Sequence, residues 1–346
     1  MNFKPLKDAL DTCTNPLFFF DDDTDGLCSF LLCRQYCGTG KGIVLKARPT
    51  LDNYYHKQVQ EYQPDKIFVL DAHTIDDSFF EGLSTPVVWV DHHDIQNKPV
   101  AVYVNPKLQQ PDALMSTSEI VYRAIGGELW IAMIGIIGDW TFPKDLIEEF
   151  RKEYPELLPP TITSAPQALF DSPFSWMIRC YQFNLKGRSK EYSKSVELLS
   201  TVRKPNELTR DNPSLKHIFK QYDKYNTAYQ ELLKDALKVV GQDPLIVFVY
   251  SGQQSFTGEL ANELLYKFPD KIIVVARNKN GEYKCSFRSS PNRSMYNILQ
   301  KALQGIEGRG GGHDQACGGS IAQEDWEQFL QQLREQVQTT KNKQEK

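Results

Sequence analysis

Three clusters of acid stand directly after short apolar runs. Residues 17–20 lead into Asp21-Asp22-Asp23-Thr24-Asp25-Gly26. Residues 66–70 lead into Asp71-Ala72-His73, and residues 86–90 into Asp91-His92-His93-Asp94. A fourth acid, Asp139, follows the apolar residues 131–137 and Gly138. Gathered in one partly dry cleft, these carboxylates would repel one another strongly. Two divalent cations remove that objection, and the chemistry open to such a cluster is two-metal hydrolysis. Hard carboxylates with one imidazole suit manganese, with magnesium as the alternative. Asp21, Asp23 and Asp25 lie at i, i+2 and i+4, so on an extended chain they point the same way and at least two can face the ions. Gly26 lets the chain turn sharply afterwards.

Any one acidic cluster could be a turn or a helix cap. Four at matched positions are a different matter. His56 and His217 are isolated and read as packing residues. His73, two residues after Asp71, is equally compatible with a supporting contact and with plain surface.

The elements that must position these residues are short. Strands are expected at 17–20, 42–46, 66–70, 86–90 and 102–105, and helices at 27–36, 55–62, 77–83, 118–125 and 129–137. Strands alternating with helices imply a parallel sheet covered on both faces. Such strands are apolar throughout because both faces are buried. Ligands bind outside the carboxyl ends of the strands in such a sheet, and each acid cluster stands there.

Beyond residue 142 the reading thins. Residues 157–166 read as a loop and 174–183 and 191–199 as helices, with no chemistry of their own. Residues 213–239 read as one long connecting helix. From 244 the strand–helix pattern restarts. Strands are expected at 245–249 and 271–276, and 281–287 reads as the second arm of a hairpin turning at Asn278, Asn280 and Gly281. Helix 295–303, a glycine cluster, strand 319–322 and helix 325–337 follow. The expected fold class is α/β: a parallel-sheet domain at 1–205, a long helix at 206–240, a smaller α/β domain at 241–338 and a disordered charged tail at 339–346.

The bulk composition limits the function classes. The chain has 346 residues, 40% of them apolar, and a net charge of -4. A non-specific grip on long nucleic acid usually needs a basic face, so any such surface here must be local, or the substrate short. The seven cysteines are odd in number and form no C-x-x-C pair, which fits reduced core thiols. The N-terminus lacks a signal-peptide apolar region, and no run of about 18 apolar residues occurs. The expectation is a soluble cytoplasmic protein with no membrane partner.

Asp91-His92-His93 at a strand end, with D-x-D-x-D-G upstream, resembles the DHH phosphoesterase superfamily. Arg309-Gly310-Gly311-Gly312-His313, followed by Ala316 and Gly318, resembles the G-G-G-H motif of the DHH-associated C-terminal domain. Cys285 to Ser290 resembles that domain's substrate-binding strand. The resemblance covers about residues 15–140 and 245–335. It implies two manganese ions held by Asp21, Asp23, Asp71, His92 and Asp139, with Asp71 bridging both. It implies that Asp91 orients His92, that His93 faces the scissile phosphate, and that Asp25 supports the loop. Members related to NrnA carry a histidine four residues before the first Asp. This chain has Leu17 there, so its first motif is closer to the RecJ-like pattern.

In the second domain, Gly310, Gly311 and Gly312 let the backbone approach a phosphate or base edge closely. Arg288, Ser289 and His313 would add hydrogen bonds, Arg being suited to bidentate phosphate recognition. The expected activity is a manganese-dependent exonuclease releasing mononucleotides from single-stranded RNA or DNA. The alternative is a nanoRNase or cyclic-dinucleotide phosphodiesterase acting on short oligonucleotides, and behind it an inactive replication scaffold. A homodimer and replication or repair proteins are the protein partners that the resemblance allows.

Overall fold

Residues 16–21 read Pro-Leu-Phe-Phe-Phe-Asp, apolar on both sides of an extended chain, and they form a strand inside a five-stranded sheet. The computed structural model describes residues 1–46 and 50–344, with side chains to residue 338. The chain divides into two units, Met1–Asp223 and Lys224–Lys346.

In chain order the first unit holds α1 (Lys4–Asp11), β1 (Pro16–Asp21), α2 (Thr24–Cys37), β2 (Lys41–Leu45), α3 (His56–Tyr62), β3 (Lys66–Leu70), β4 (Val87–Val90) and β5 (Val102–Val104). Then come α4 (Thr117–Ile125), α5 (Leu129–Gly138), α6 (Lys144–Glu153), α7 (Ala165–Phe170), α8 (Ser175–Asn184) and α9 (Ser189–Leu199). The unit ends inside α10 (Lys216–Lys238). The sheet order is β2-β1-β3-β4-β5 and every pairing is parallel. The chain therefore reverses its winding direction between β1 and β3, which opens a crevice at their carboxyl ends.

The two-residue period of the strands feeds two cores. Phe18, Phe20, Phe68, Leu70, Val88 and Val90 pack into one with α2, α4 and α5. Leu17, Phe19, Ile67, Val69, Val87 and Trp89 pack into the other with Tyr55, Val59 and Phe79. Burying each phenylalanine contributes about 1.5–3 kcal/mol. A slip of one residue would exchange the two faces, so the register that aligns the acidic ends is strongly specified.

Three short helices, α1, α6 and α7, were not expected from the sequence. The helix expected at 77–83 is a single 3-10 turn, Asp77–Phe79, capped by Asp76. Gly82 at φ +70 lies in the segment that follows.

The second unit holds β6 (Leu245–Ser251), α11 (Thr257–Lys267), β7 (Ile272–Lys279), β8 (Glu282–Arg288), α12 (Met295–Ala302), β9 (Gly308–Gly312), β10 (Ala316–Ala322) and α13 (Trp326–Gln344). Its sheet order is β6-β7-β8-β10-β9, with β6 and β7 parallel and the remaining pairs antiparallel. Asn280 and Gly281 both take positive φ (54° and 77°) to close the β7–β8 hairpin. Helices α12 and α13 bury Leu299, Phe329 and Leu333 against Val274, Phe287 and Ile321.

The glycine cluster is itself the edge strand β9. A Cβ at Gly308 would lie 2.9 Å from the Ser320 carbonyl oxygen, and one at Gly310 would lie 2.8 Å from the Leu299 side chain. The last helix runs to Gln344, past the point where the charged tail begins, and residues 345–346 lie outside the described residues. Among the described residues no helix is long and apolar enough to cross a membrane.

Candidate metal centre

Each acidic cluster reaches the sheet edge by a different local device. At β1, Asp21 ends the strand and Asp23 caps α2, its carboxylate accepting the Gly26 N–H at 2.9 Å. Position 26 must be glycine for this, because a Cβ there would lie 2.7 Å from the Asp21 nitrogen and 2.8 Å from its carbonyl oxygen. At β3, Asp71 takes φ +60, a left-handed conformation that Asp tolerates better than most residues. Such strain gathers at functional sites.

Asp139 caps the carboxyl end of α5. Gly135 and Gly138 let that helix close on its neighbours. A Cβ at Gly138 would fall 2.0 Å from the Thr24 hydroxyl, and one at Gly135 would fall 2.5 Å from the Ser118 hydroxyl.

Asp25 is buried (1% exposed) and accepts two backbone N–H groups, from Thr117 at 2.6 Å and Ser118 at 2.8 Å. It ties the first acidic loop to the amino end of α4, where a carboxylate is favoured. The Thr117 hydroxyl donates to Asp71 at 3.0 Å.

The two histidines divide their partners. His92 sets Nε2 3.4 Å from Asp71 and Nδ1 3.8 Å from Asp139. His93 places Nδ1 2.7 Å from Asp91, and the same carboxylate accepts the His93 backbone N–H at 3.1 Å. Asp91 was expected to orient His92. It holds His93 instead, because the chain turns straight after β4 and brings residue 93 back over the carboxylate. His73 stacks on His93 with ring centres 4.5 Å apart and planes within 9°.

Donor atoms of Asp71, His92 and His93 lie within 4.8 Å of one another, and so do those of Asp25, His92 and Asp139. Neither trio includes Asp21 or Asp23, but both act on the same cluster electrostatically. Burial raises the Asp23 carboxyl to about 7, helped by the charges of Asp21 and Asp25, while a hydrogen bond with Asp71 works the other way. Asp71 and Asp139 are pushed well above the usual carboxylate range, first by burial and then by the charges of Asp25 and Asp23. Burial also raises Asp21 and lowers His92. Burial disfavours a charged His93 as well, yet Asp91, Asp23 and Asp21 outweigh it and its pKa is raised. Cation-free, the cluster is a knot of acids that resist ionising. Carboxylates and a neutral imidazole at this spacing fit hard divalent cations.

Asp22 turns away to Lys46, whose ammonium lies 2.8 Å from it. Lys46 and Thr117 escaped the sequence reading. The Thr-Ser pair opening a helix was the available signal for Thr117, since exposed helix amides invite a carboxylate.

The substrate residues expected in the second unit are only partly presented. Ser289 is buried, and its hydroxyl donates to the Arg293 carbonyl at 2.8 Å, which removes it from the exposed face. Arg288 is half-buried. Its Nε donates to Asn262 at 2.6 Å and its Nη1 to the Phe287 and Cys317 carbonyls. His313 is exposed at the β9–β10 turn, with its backbone N–H bonded to the Ala316 carbonyl. A Cβ at Gly311 would meet nothing within 4 Å, so that strand position is open.

A model of the DHH family, N-terminal domain, matches residues 17–141, a span that holds all four acidic clusters. A model of the DHHA1 domain matches residues 242–339. The chain belongs to the DHH phosphoesterase superfamily. Its DHH N-terminal domain is followed by a C-terminal DHHA1 domain. No curated protein matches this DHH sequence.

Among solved structures it is similar to RecJ in complex with Mn2+ from Thermus thermophilus. The TM-score is 0.68 at 17% identity, over 96% of this chain and 53% of that one. The DHH chain thus spans about half the length of that RecJ. An exonuclease RecJ bound to manganese matches with TM-score 0.62 and 16% identity, over 96% of this chain and 92% of that one. A pGpG-specific phosphodiesterase, PggH from Vibrio cholrae, matches with TM-score 0.52 and 14% identity, over 94% and 99%. At these identities the likeness is one of fold.

Proposed function

We propose that this DHH protein is a manganese-dependent phosphodiesterase acting as an exonuclease on single-stranded RNA or DNA and releasing mononucleotides. The observation that carries the reading is the convergence of Asp71, Asp139 and His92, with Asp21 and Asp23 bearing on the same point, in a cluster whose carboxyls resist ionising. Asp21, Asp23, Asp71, His92 and Asp139 would hold two manganese ions, or magnesium in their place. Bound there, the ions would supply Lewis acidity, easing deprotonation of the attacking water and offsetting charge on the phosphate.

The chain's own groups do the rest. Asp91 fixes the His93 ring through Nδ1 and favours its protonated form. Nε2 can then donate to a phosphate oxygen as charge builds there. Asp25 holds the loop that carries Asp21 and Asp23. In the second unit, Arg288 and His313, with the open backbone at Gly311, would grip a nucleotide.

The RecJ-like first motif favours the exonuclease. The near-complete coverage of a pGpG-specific phosphodiesterase favours a second reading, hydrolysis of short oligonucleotides. An inactive scaffold is disfavoured because the whole set of donor residues is present. End-labelled RNA and DNA of about 2, 5 and 30 nucleotides, incubated with manganese, separate these readings. A ladder on the longest strand supports the exonuclease, cleavage of the dimer alone supports the second reading, and no cleavage refutes both.

A further inference from the structure

Residues 179–204, the stretch in which the sequence offered no chemistry, carry seven Lys and Arg against two acids, Glu191 and Glu197. The whole chain is net -4, so this segment is a local reversal of sign. Four of these cations, Lys186, Arg188, Lys190 and Lys194, lie at the α8–α9 turn and along α9. Arg188, Lys190 and Lys194 are exposed and Lys186 is half-buried. Lys190 and Lys194 are four apart on one helix and share a face. Glu191 turns back to accept the Arg188 backbone N–H at 2.9 Å, and Glu197 lies nearly two turns further along α9.

Lys46 fixes where this basic stretch sits. Its ammonium reaches Asp22 of the first acidic cluster, the Leu185 carbonyl at 2.5 Å, and the face of the Tyr192 ring at 5.3 Å. The α8–α9 turn is thereby joined to the loop that carries Asp21 and Asp23.

We propose that Lys186, Arg188, Lys190 and Lys194 form a landing surface for the phosphodiester backbone of a single strand. This surface would hold nucleotides beyond the one being cut. Charge complementarity names the occupant: a ladder of cations beside a phosphoesterase centre fits a ladder of phosphates. The inference rests on the phosphodiesterase reading and deepens it, because a surface outside the acidic cluster serves a long strand and gives a dinucleotide nothing.

The test is K186Q/R188Q/K190Q/K194Q in the full chain, with K190Q/K194Q as a milder pair should the fourfold variant fold poorly. Affinity for a fluorescent 20-mer and for a dinucleotide is measured in chelator over a range of salt. The fourfold variant should bind the 20-mer at least about tenfold more weakly, and the slope of log affinity against log salt should fall by about 2–3, as expected for losing up to four phosphate contacts on a single strand. The dinucleotide should shift by less than about threefold. Unchanged 20-mer affinity and salt slope would overturn the surface. So would a loss seen only with poly-aspartate, which would assign the surface to an acidic protein. Binding is read without cleavage, so an inert wild type would sink the phosphodiesterase reading alone. A wild type that degrades strands, with a variant that binds them normally, would sink only the surface.

Discussion

Nδ1 of His93 lies 2.7 Å from Oδ1 of Asp91, a carboxylate with no exposed surface, while the adjacent His92 turns to Asp71 and Asp139. Two neighbouring imidazoles thus serve different masters. Asp91→Asn should lower kcat about 10–100-fold, the usual effect of losing a supporting carboxylate. It should leave manganese affinity nearly unchanged, because His92 does not depend on Asp91. Steady-state rates across a manganese titration read both quantities. A loss of affinity at constant kcat would assign Asp91 to the ions.

Cation-free stability should fall as pH rises. Asp23 at about 7, and Asp71 and Asp139 above the usual range, hold protons in the folded state that the unfolded chain releases near pH 4. Their contribution is complete below about pH 4 and disappears as pH passes through the folded values. Bound manganese would keep them ionised and offset the loss. Melting curves with chelator and with manganese should therefore differ more at pH 8 than at pH 6. Equal shifts at both pH values would contradict the account.

Asp71→Asn separates fold from function. Asn also tolerates φ +60, and the change removes one acid from a repelling cluster. The chelated variant should melt at or above the wild-type temperature. It should also lose the manganese-induced shift. A large drop in the chelated melting temperature would make Asp71 structural first.

Gly26→Ala reverses an ordinary expectation. In an open helix the change would gain about 1 kcal/mol. Here the new Cβ meets the Asp21 backbone at 2.7 Å and must push β1 and α2 apart. Such overpacking costs about 1–3 kcal/mol, so the net effect should be destabilising and manganese affinity should fall. Denaturant midpoints and manganese titration test it, and a stabilised variant with normal affinity would refute the close approach.

The acid-tipped strands could be read directly because a fully buried parallel strand has no place for Asp except at its end. Residues 17–20 followed by Asp21, and residues 66–70 followed by Asp71, carried that signal in type and position alone. The pairing of Asp91 with His93 could not be read. Both imidazoles flank the same acid, and only the turn after β4 decides which comes back to it. Arg288 closes β8, whereas Ser289, read as part of the same strand, falls just past its end. The neighbours that engage their polar atoms, Asn262 and Arg293, come from elsewhere in the chain. The α6 helix was within reach, since Leu146, Ile147 and Phe150 share one helical face. The glycine strand β9 was not, because no propensity favours glycine there and only close packing against β10 and α12 accounts for it.

The most direct measurement is hydrolysis of an end-labelled single strand by chelator-stripped protein, with manganese added back to wild type and to Asp71→Asn side by side. The account predicts no products without the ion, shortened strands when it is restored to wild type, and at least about a hundredfold less from the variant. Hydrolysis that persists in chelator, or equal rates from the two proteins with manganese, would contradict it.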